Sequence, residues 1–144
     1  MTDDAHVTVR GVLETCLYAA DLAAAERFYA DVIGLAAFAR VDGRHVFFRC
    51  GAGVLLVFNP ETTSRAPGAV AGVPVPAHGT HGAGHVAFAV PERELDAWRA
   101  RLTEREVPVE AEIHWPRGGR SLYVRDPAGN SVELATPTIW NLPE

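Results

Sequence analysis

Apolar and polar residues alternate from Glu14 to Ala19, a period of two that predicts a strand with Thr15, Leu17 and Ala19 on one face. Glu14, Cys16 and Tyr18 fall on the other face. Leu22, Ala25, Tyr29 and Val32 then recur at helical spacing, with Asp21 as N-cap and Gly34 as the stop. Strand patterns follow around residues 44–49 and 54–59, with a shorter one near 35–41. The same order then returns. Val86, Phe88 and Val90 alternate with His85, Ala87 and Ala89, and Leu95, Trp98 and Leu102 stripe a helix over residues 91–105. Further strands are expected near 109–113, 120–125 and 131–135, with turn chemistry in Asp126-Pro127-Ala128-Gly129-Asn130 between the last two. A repeat of about seventy to eighty residues is too long for a solenoid unit and suits a duplicated half-domain.

The duplication sets Glu14 opposite His85 and Leu55 opposite Glu133. It also sets His45 and Phe47 opposite Ser121 and Tyr123. One domain over 1–144 is expected, with halves at about 10–60 and 83–136 and a tail over 137–144. The Pro-, Gly-, Ala- and Thr-rich stretch 61–82 reads as a linker or a functional loop, and His78 within it as a lid residue.

Composition narrows the chemistry. A net charge of −5 without a basic block argues against nucleic acid and anionic membranes. All thirteen basic side chains are arginine, which removes lysine Schiff bases and Walker-type phosphate loops. Met1-Thr2-Asp3-Asp4 has no cationic start followed by an apolar stretch, so no signal peptide is expected and a cytoplasmic location is the default. Cys16 and Cys50 are then expected as free thiols.

On the strand face away from the helices, Glu14, His85 and Glu133 supply three ligands of metal-binding type, leaving room for water or substrate oxygens. Two carboxylates and an imidazole on a concave face cost several kcal/mol unless a cation compensates them. If the strand before the Asp126 turn sets Ser121 and Tyr123 on that face, then Cys16, His45, Phe47, Leu55, His78 and Tyr123 are expected around the same cavity, with Tyr123 placed to hydrogen-bond a substrate oxygen. Trp115 and Trp140 read as packing or subunit contacts, and Arg117–Arg120 as a solvated turn.

Glu14-Thr15-Cys16-Leu17-Tyr18, Gly84-His85-Val86-Ala87-Phe88 and Asp126-Pro127-Ala128-Gly129-Asn130-Ser131-Val132-Glu133-Leu134 resemble the vicinal oxygen chelate superfamily. That group spans glyoxalase I, extradiol dioxygenases, fosfomycin-modifying enzymes and bleomycin-binding resistance proteins. The resemblance implies an α+β fold of two paired βαβββ modules forming a curved, cup-shaped mixed sheet with helices on its outer face. It implies a divalent metal (zinc, iron(II), manganese or nickel) held by His85 and Glu133, with Glu14 where relatives carry His or Gln. Leu55 stands where glyoxalase I has its fourth-strand Glu. The implied activity is a metal-dependent isomerase or lyase acting on adjacent substrate oxygens, with Glu14 or Glu133 as base and Tyr123 assisting. A non-catalytic drug-sequestering protein of bleomycin-resistance type and a ring-cleaving dioxygenase are the alternatives. A homodimer is implied, with the site inside one chain or shared between two.

Overall fold

The computed structural model describes residues 7–65 and 68–144; the signal-peptide reading of Met1–Asp4 lies outside the described residues. Strand β1 (Glu14–Tyr18) leads into α1 (Leu22–Arg27), whose N-cap Asp21 accepts a hydrogen bond from the Ala24 amide at 3.0 Å. The helix continues as a π-helical turn over Phe28–Ile33 and stops at Gly34, whose φ of 90° is the left-handed end that favours glycine. Strands β2 (Ala36–Val41), β3 (His45–Cys50) and β4 (Gly53–Phe58) complete the first module. The second repeats it with β7 (His85–Ala89), α3 (Leu95–Glu104, after a 3₁₀ turn), β8 (Ala111–His114), β9 (Arg120–Arg125) and β10 (Ser131–Ala135).

The mixed α+β class matches the sequence reading, and both short strands form. The stretch read as a linker holds more structure than its composition suggests. It carries α2 (Pro60–Arg65), started by Asn59, whose side-chain oxygen accepts from the Glu61 amide, and a two-stranded ribbon of β5 (Ala69–Val70) and β6 (Val73–Pro74). No helix among the described residues is long and apolar enough to cross a membrane.

The strands form two four-stranded sheets, ordered β1-β4-β3-β2 and β7-β10-β9-β8, rather than one continuous sheet. In each, the first and last strands of the module pair in parallel. The helix-bearing sides of both sheets share one core. Leu17, Phe48, Leu55 and Val57 from the first module and Phe88, Leu122, Val132 and Leu134 from the second meet around Tyr29, Leu95 and Leu102. Each such buried side chain is worth about 1.5–3 kcal/mol relative to exposure. The opposite faces, bearing Glu14 and Cys16 in one sheet and His85, Ala87 and Ala89 in the other, are turned outward.

The Asp126–Asn130 turn joins the modules. Asp126 Oδ1 accepts from the Ala128 and Asn130 amides, and Oδ2 from Asn130 Nδ2 and from the Tyr29 hydroxyl at 2.7 Å. Asn130 then donates to the Tyr18 carbonyl and accepts from the Gly84 amide at 2.7 Å. Gly84 fits closely here: a Cβ would lie 3.2 Å from a Leu17 methyl and 3.3 Å from Asn130 Oδ1, and both would have to give by a few tenths of an ångström.

Burial, and then the Asp126 charge, push the Tyr29 phenol well above its ordinary value. Unfolded tyrosine ionises near pH 10 while the folded chain keeps its proton, so this contribution is fully present below about pH 10 and is lost as pH rises above it. Unfolding free energies from urea titrations at pH 8 and upward are expected to fall by about 1.4 kcal/mol per pH unit beyond about pH 10, and Tyr29→Phe to flatten that slope.

Candidate metal centre

Sheet register fixes which residues share the open faces, because neighbours across a ladder point the same way. In the second module the rows run His85–Ser131–Arg125, then Ala87–Glu133–Tyr123–Ala111, then Ala89–Ala135–Ser121–Ile113. In the first they run Glu14–Val54–Arg49, then Cys16–Leu56–Phe47, then Tyr18–Phe58–His45. Glu14 therefore does correspond to His85, and His45 and Phe47 to Ser121 and Tyr123. The fourth-strand position needs correcting. Glu133 lies two residues beyond the partner of His85, and the residue two beyond the partner of Glu14 is Leu56, not Leu55. Leu55 pairs with Thr15 and Phe48, is 1% exposed, and belongs to the core on the helix side. A one-residue slip in a strand moves a side chain through the sheet. Leu55 thus leaves the cavity lining, and an equally apolar Leu56 takes its place.

His85 and Glu133 come together. The Ser131 carbonyl can only accept, so at 3.1 Å it takes a hydrogen bond donated by His85 Nδ1–H. In the neutral imidazole that leaves the His85 Nε2 lone pair toward Glu133 Oε1, 3.4 Å away. The other carboxylate oxygen is also fixed. Trp115 Nε1–H donates to Ser121 Oγ at 2.9 Å, and the Ser121 hydroxyl donates to Glu133 Oε2 at 2.6 Å. Because indole nitrogen only donates, the polarity of this relay is set from one end. Glu133 is 5% exposed. With the imidazole neutral, the inward oxygen and the ring nitrogen face each other as two acceptors, which a proton or a metal cation between them would compensate.

Glu14 does not join them inside one chain. Among the described residues no three His, Cys, Asp or Glu side chains are gathered to hold a metal ion. Sequence reasoning took Trp115 as a packing or subunit contact and missed its bond to Ser121, which in turn holds Glu133. Alternation through Ile113 to residue 115, on the strand paired with Ser121, carried that signal.

Tyr123 lies beside Glu133 on the open face, its ring 6.4 Å from that of His85. Burial, then Glu133, push its phenol up, so it is a proton donor at neutral pH. On the first module, the Tyr18 hydroxyl and His78 Nδ1 are 2.7 Å apart, which anchors the loop carrying His78 over the aromatic end of that face. His81 instead pairs with Glu61 at 3.0 Å, away from the strands. The thiols Cys16 and Cys50 are both free, and burial pushes Cys16 up.

The chain matches the model of the Glyoxalase/Bleomycin resistance protein/Dioxygenase superfamily over residues 6–134. A crystal structure of lactoylglutathione lyase from Agrobacterium tumefaciens is 45% identical, with 93% of this chain and 98% of that one covered and a TM-score of 0.86. Fosfomycin resistance protein FosX from Mesorhizobium loti shares the fold at 20% identity, 92% and 97% coverage, and a TM-score of 0.63. Metallothiol transferase FosB from Shouchella clausii is 38% identical over 63 residues, a match that spans 38% of this chain and 39% of that relative. With a family model covering most of its length and a duplicated βαβββ architecture, the chain belongs to the glyoxalase/bleomycin resistance protein/dioxygenase superfamily.

Proposed function

We propose that this protein is a divalent-metal-dependent enzyme of glyoxalase type, an isomerase or lyase acting on a small substrate with two adjacent oxygens. The observation that carries the reading is the opposed pair of acceptors, His85 Nε2 and Glu133 Oε1, each held from behind by a hydrogen bond. One imidazole and carboxylate oxygens suit zinc, iron(II), manganese and nickel alike. The two open faces turn away from the shared core, so the third donor is Glu14 of the partner subunit in a twofold dimer.

When bound, a divalent ion would supply Lewis acidity, lowering the cost of charge that develops on an enolate or alkoxide oxygen. Ser121 keeps one oxygen of Glu133 occupied and so leaves the other for the donor set. Glu14, exposed on its strand, has the freedom to take a proton from substrate carbon and return it. Tyr123 keeps its own proton and steadies a substrate oxygen by donating to it.

A mixed dimer tests this reading. Each of Glu14→Ala and His85→Ala alone is expected to leave no complete site. A purified heterodimer of the two variants is expected to regain one site per dimer, measured by metal content after dialysis. No regain would overturn the shared site, and an apo wild type after exposure to all four ions would favour sequestration over catalysis. Ser121→Ala is expected to weaken metal binding about 10–100-fold in the same assay, the usual cost of losing a group that orients a ligand.

A further inference from the structure

The duplication is uneven around Glu133. Ser121 pairs with Ile113 and His45 with Val41, so Trp115, two residues past Ile113, corresponds to Gly43. At the places of Trp115, Ser121 and Glu133 the first module therefore has Gly43, His45 and Leu56. The run of hydrogen bonds from indole to hydroxyl to carboxylate belongs to the module that carries His85 and Glu133, and the first has no counterpart for it. Trp115 is also firmly seated. Its amide donates to the Gly119 carbonyl and its carbonyl accepts from the Gly118 amide, both at 3.0 Å, which closes the β8–β9 hairpin. Gly119 in turn lies against the 3₁₀ turn Pro137–Trp140, where an added Cβ would stand 2.6 Å from Ile139 Cγ2 and 2.7 Å from Thr136 Oγ1. One side of the indole borders a cleft of about 350 Å³ lined by Ile139 and Trp140, while its N–H points inward to Ser121, which is wholly buried.

A side chain present for packing alone needs no donor aimed at a buried hydroxyl. Here the donor matters, because a serine hydroxyl rotates and can accept as well as donate. Donation into Ser121 Oγ occupies a lone pair, directs the O–H to Glu133 Oε2, and strengthens that second bond by polarising it. We propose that Trp115 is a positioning residue for the metal: acting through Ser121, its indole N–H keeps Oε2 of Glu133 occupied and so presents Oε1 alone beside His85 Nε2. The inference rests on the metal-dependent reading above.

Equilibrium dialysis against zinc(II), iron(II), manganese(II) and nickel(II) identifies an ion that the wild type retains, and that ion serves as the probe. Trp115→Phe, which keeps aromatic bulk and drops the N–H, is expected to weaken its binding about 3–10-fold, less than loss of Ser121 itself. In a Ser121→Ala background the same substitution is expected to change affinity by less than about twofold, because the relay is already cut. Indole emission supplies a readout that does not depend on the phenylalanine variant folding. Adding the ion to wild-type protein is expected to shift the emission maximum, and Ser121→Ala protein saturated with the ion is expected to lose that shift. Trp115→Phe binding within about twofold of the wild type, or equal losses in both backgrounds, would overturn the role of Trp115 and leave the metal site standing. So would an emission shift that the wild type lacks or that Ser121→Ala retains. A wild type that holds none of the four ions would sink the metal reading and this inference with it.

Discussion

Glu133→Ala protein is expected to lose at least about a hundredfold in metal affinity, more than any substitution behind the ligands. Three features act together at this residue. Its carboxylate is almost wholly buried, one oxygen is committed to Ser121, and the other faces the imidazole nitrogen of His85. Removing it takes away a buried negative charge that the fold holds against the imidazole of His85. Glu133→Gln preserves the size and the bond from Ser121, yet is expected to show a loss close to that of the alanine variant, because an amide oxygen brings no charge. Equilibrium dialysis against manganese(II) or nickel(II) reads the difference, with circular dichroism confirming that the sheets remain. His81→Ala, whose partner is Glu61, is expected to bind as the wild type does. A Glu133→Gln protein with unchanged affinity would remove Glu133 from the donor set.

Asp126→Ala is expected to have the largest effect on stability, about 3–5 kcal/mol, read as a shift in the urea midpoint. The side chain accepts four hydrogen bonds, and two of them come from groups that have no access to water once it is gone. Tyr29 is fully buried and would keep an unpaired hydroxyl; Asn130, 1% exposed, would lose the bond that orients its amide toward Gly84 and Tyr18. Asp126→Asn should cost less, since an amide oxygen still accepts two backbone N–H groups. A midpoint unchanged within error for Asp126→Ala would show that the turn does not tie the modules together. Combining Asp126→Ala with Tyr29→Phe should cost less than the sum of the two, because they break one shared bond.

Much of this was written in the chain. The period-two run through Leu17 and the period-3.6 run through Tyr29 fixed which side of β1 meets the helix, and therefore put Glu14 on the open face. The same logic placed His85 and, through the ladder, Ser121 and Tyr123. Leu55 shows where periodicity fails. β4 is apolar on both faces, so Val54–Phe58 offers no alternation, and only the register against Glu14 separates Leu56 from Leu55. Trp115 escaped for another reason. Alternation through Ile113 puts it on the open face, but its bond to Ser121 depends on the pairing of β8 with β9, which only the fold supplies. The division into two sheets likewise turns on tertiary packing around Tyr29, whereas each half-sheet alone was legible from its own pattern.

The outward turn of both sheet faces has a kinetic consequence. If a complete donor set forms only when two chains mate, the number of working centres rises with the square of chain concentration whenever free protomers predominate. Dilution alone would then silence the protein, with no inhibitor and no loss of cation, and activity per milligram would climb with enzyme loading until the chains were fully paired.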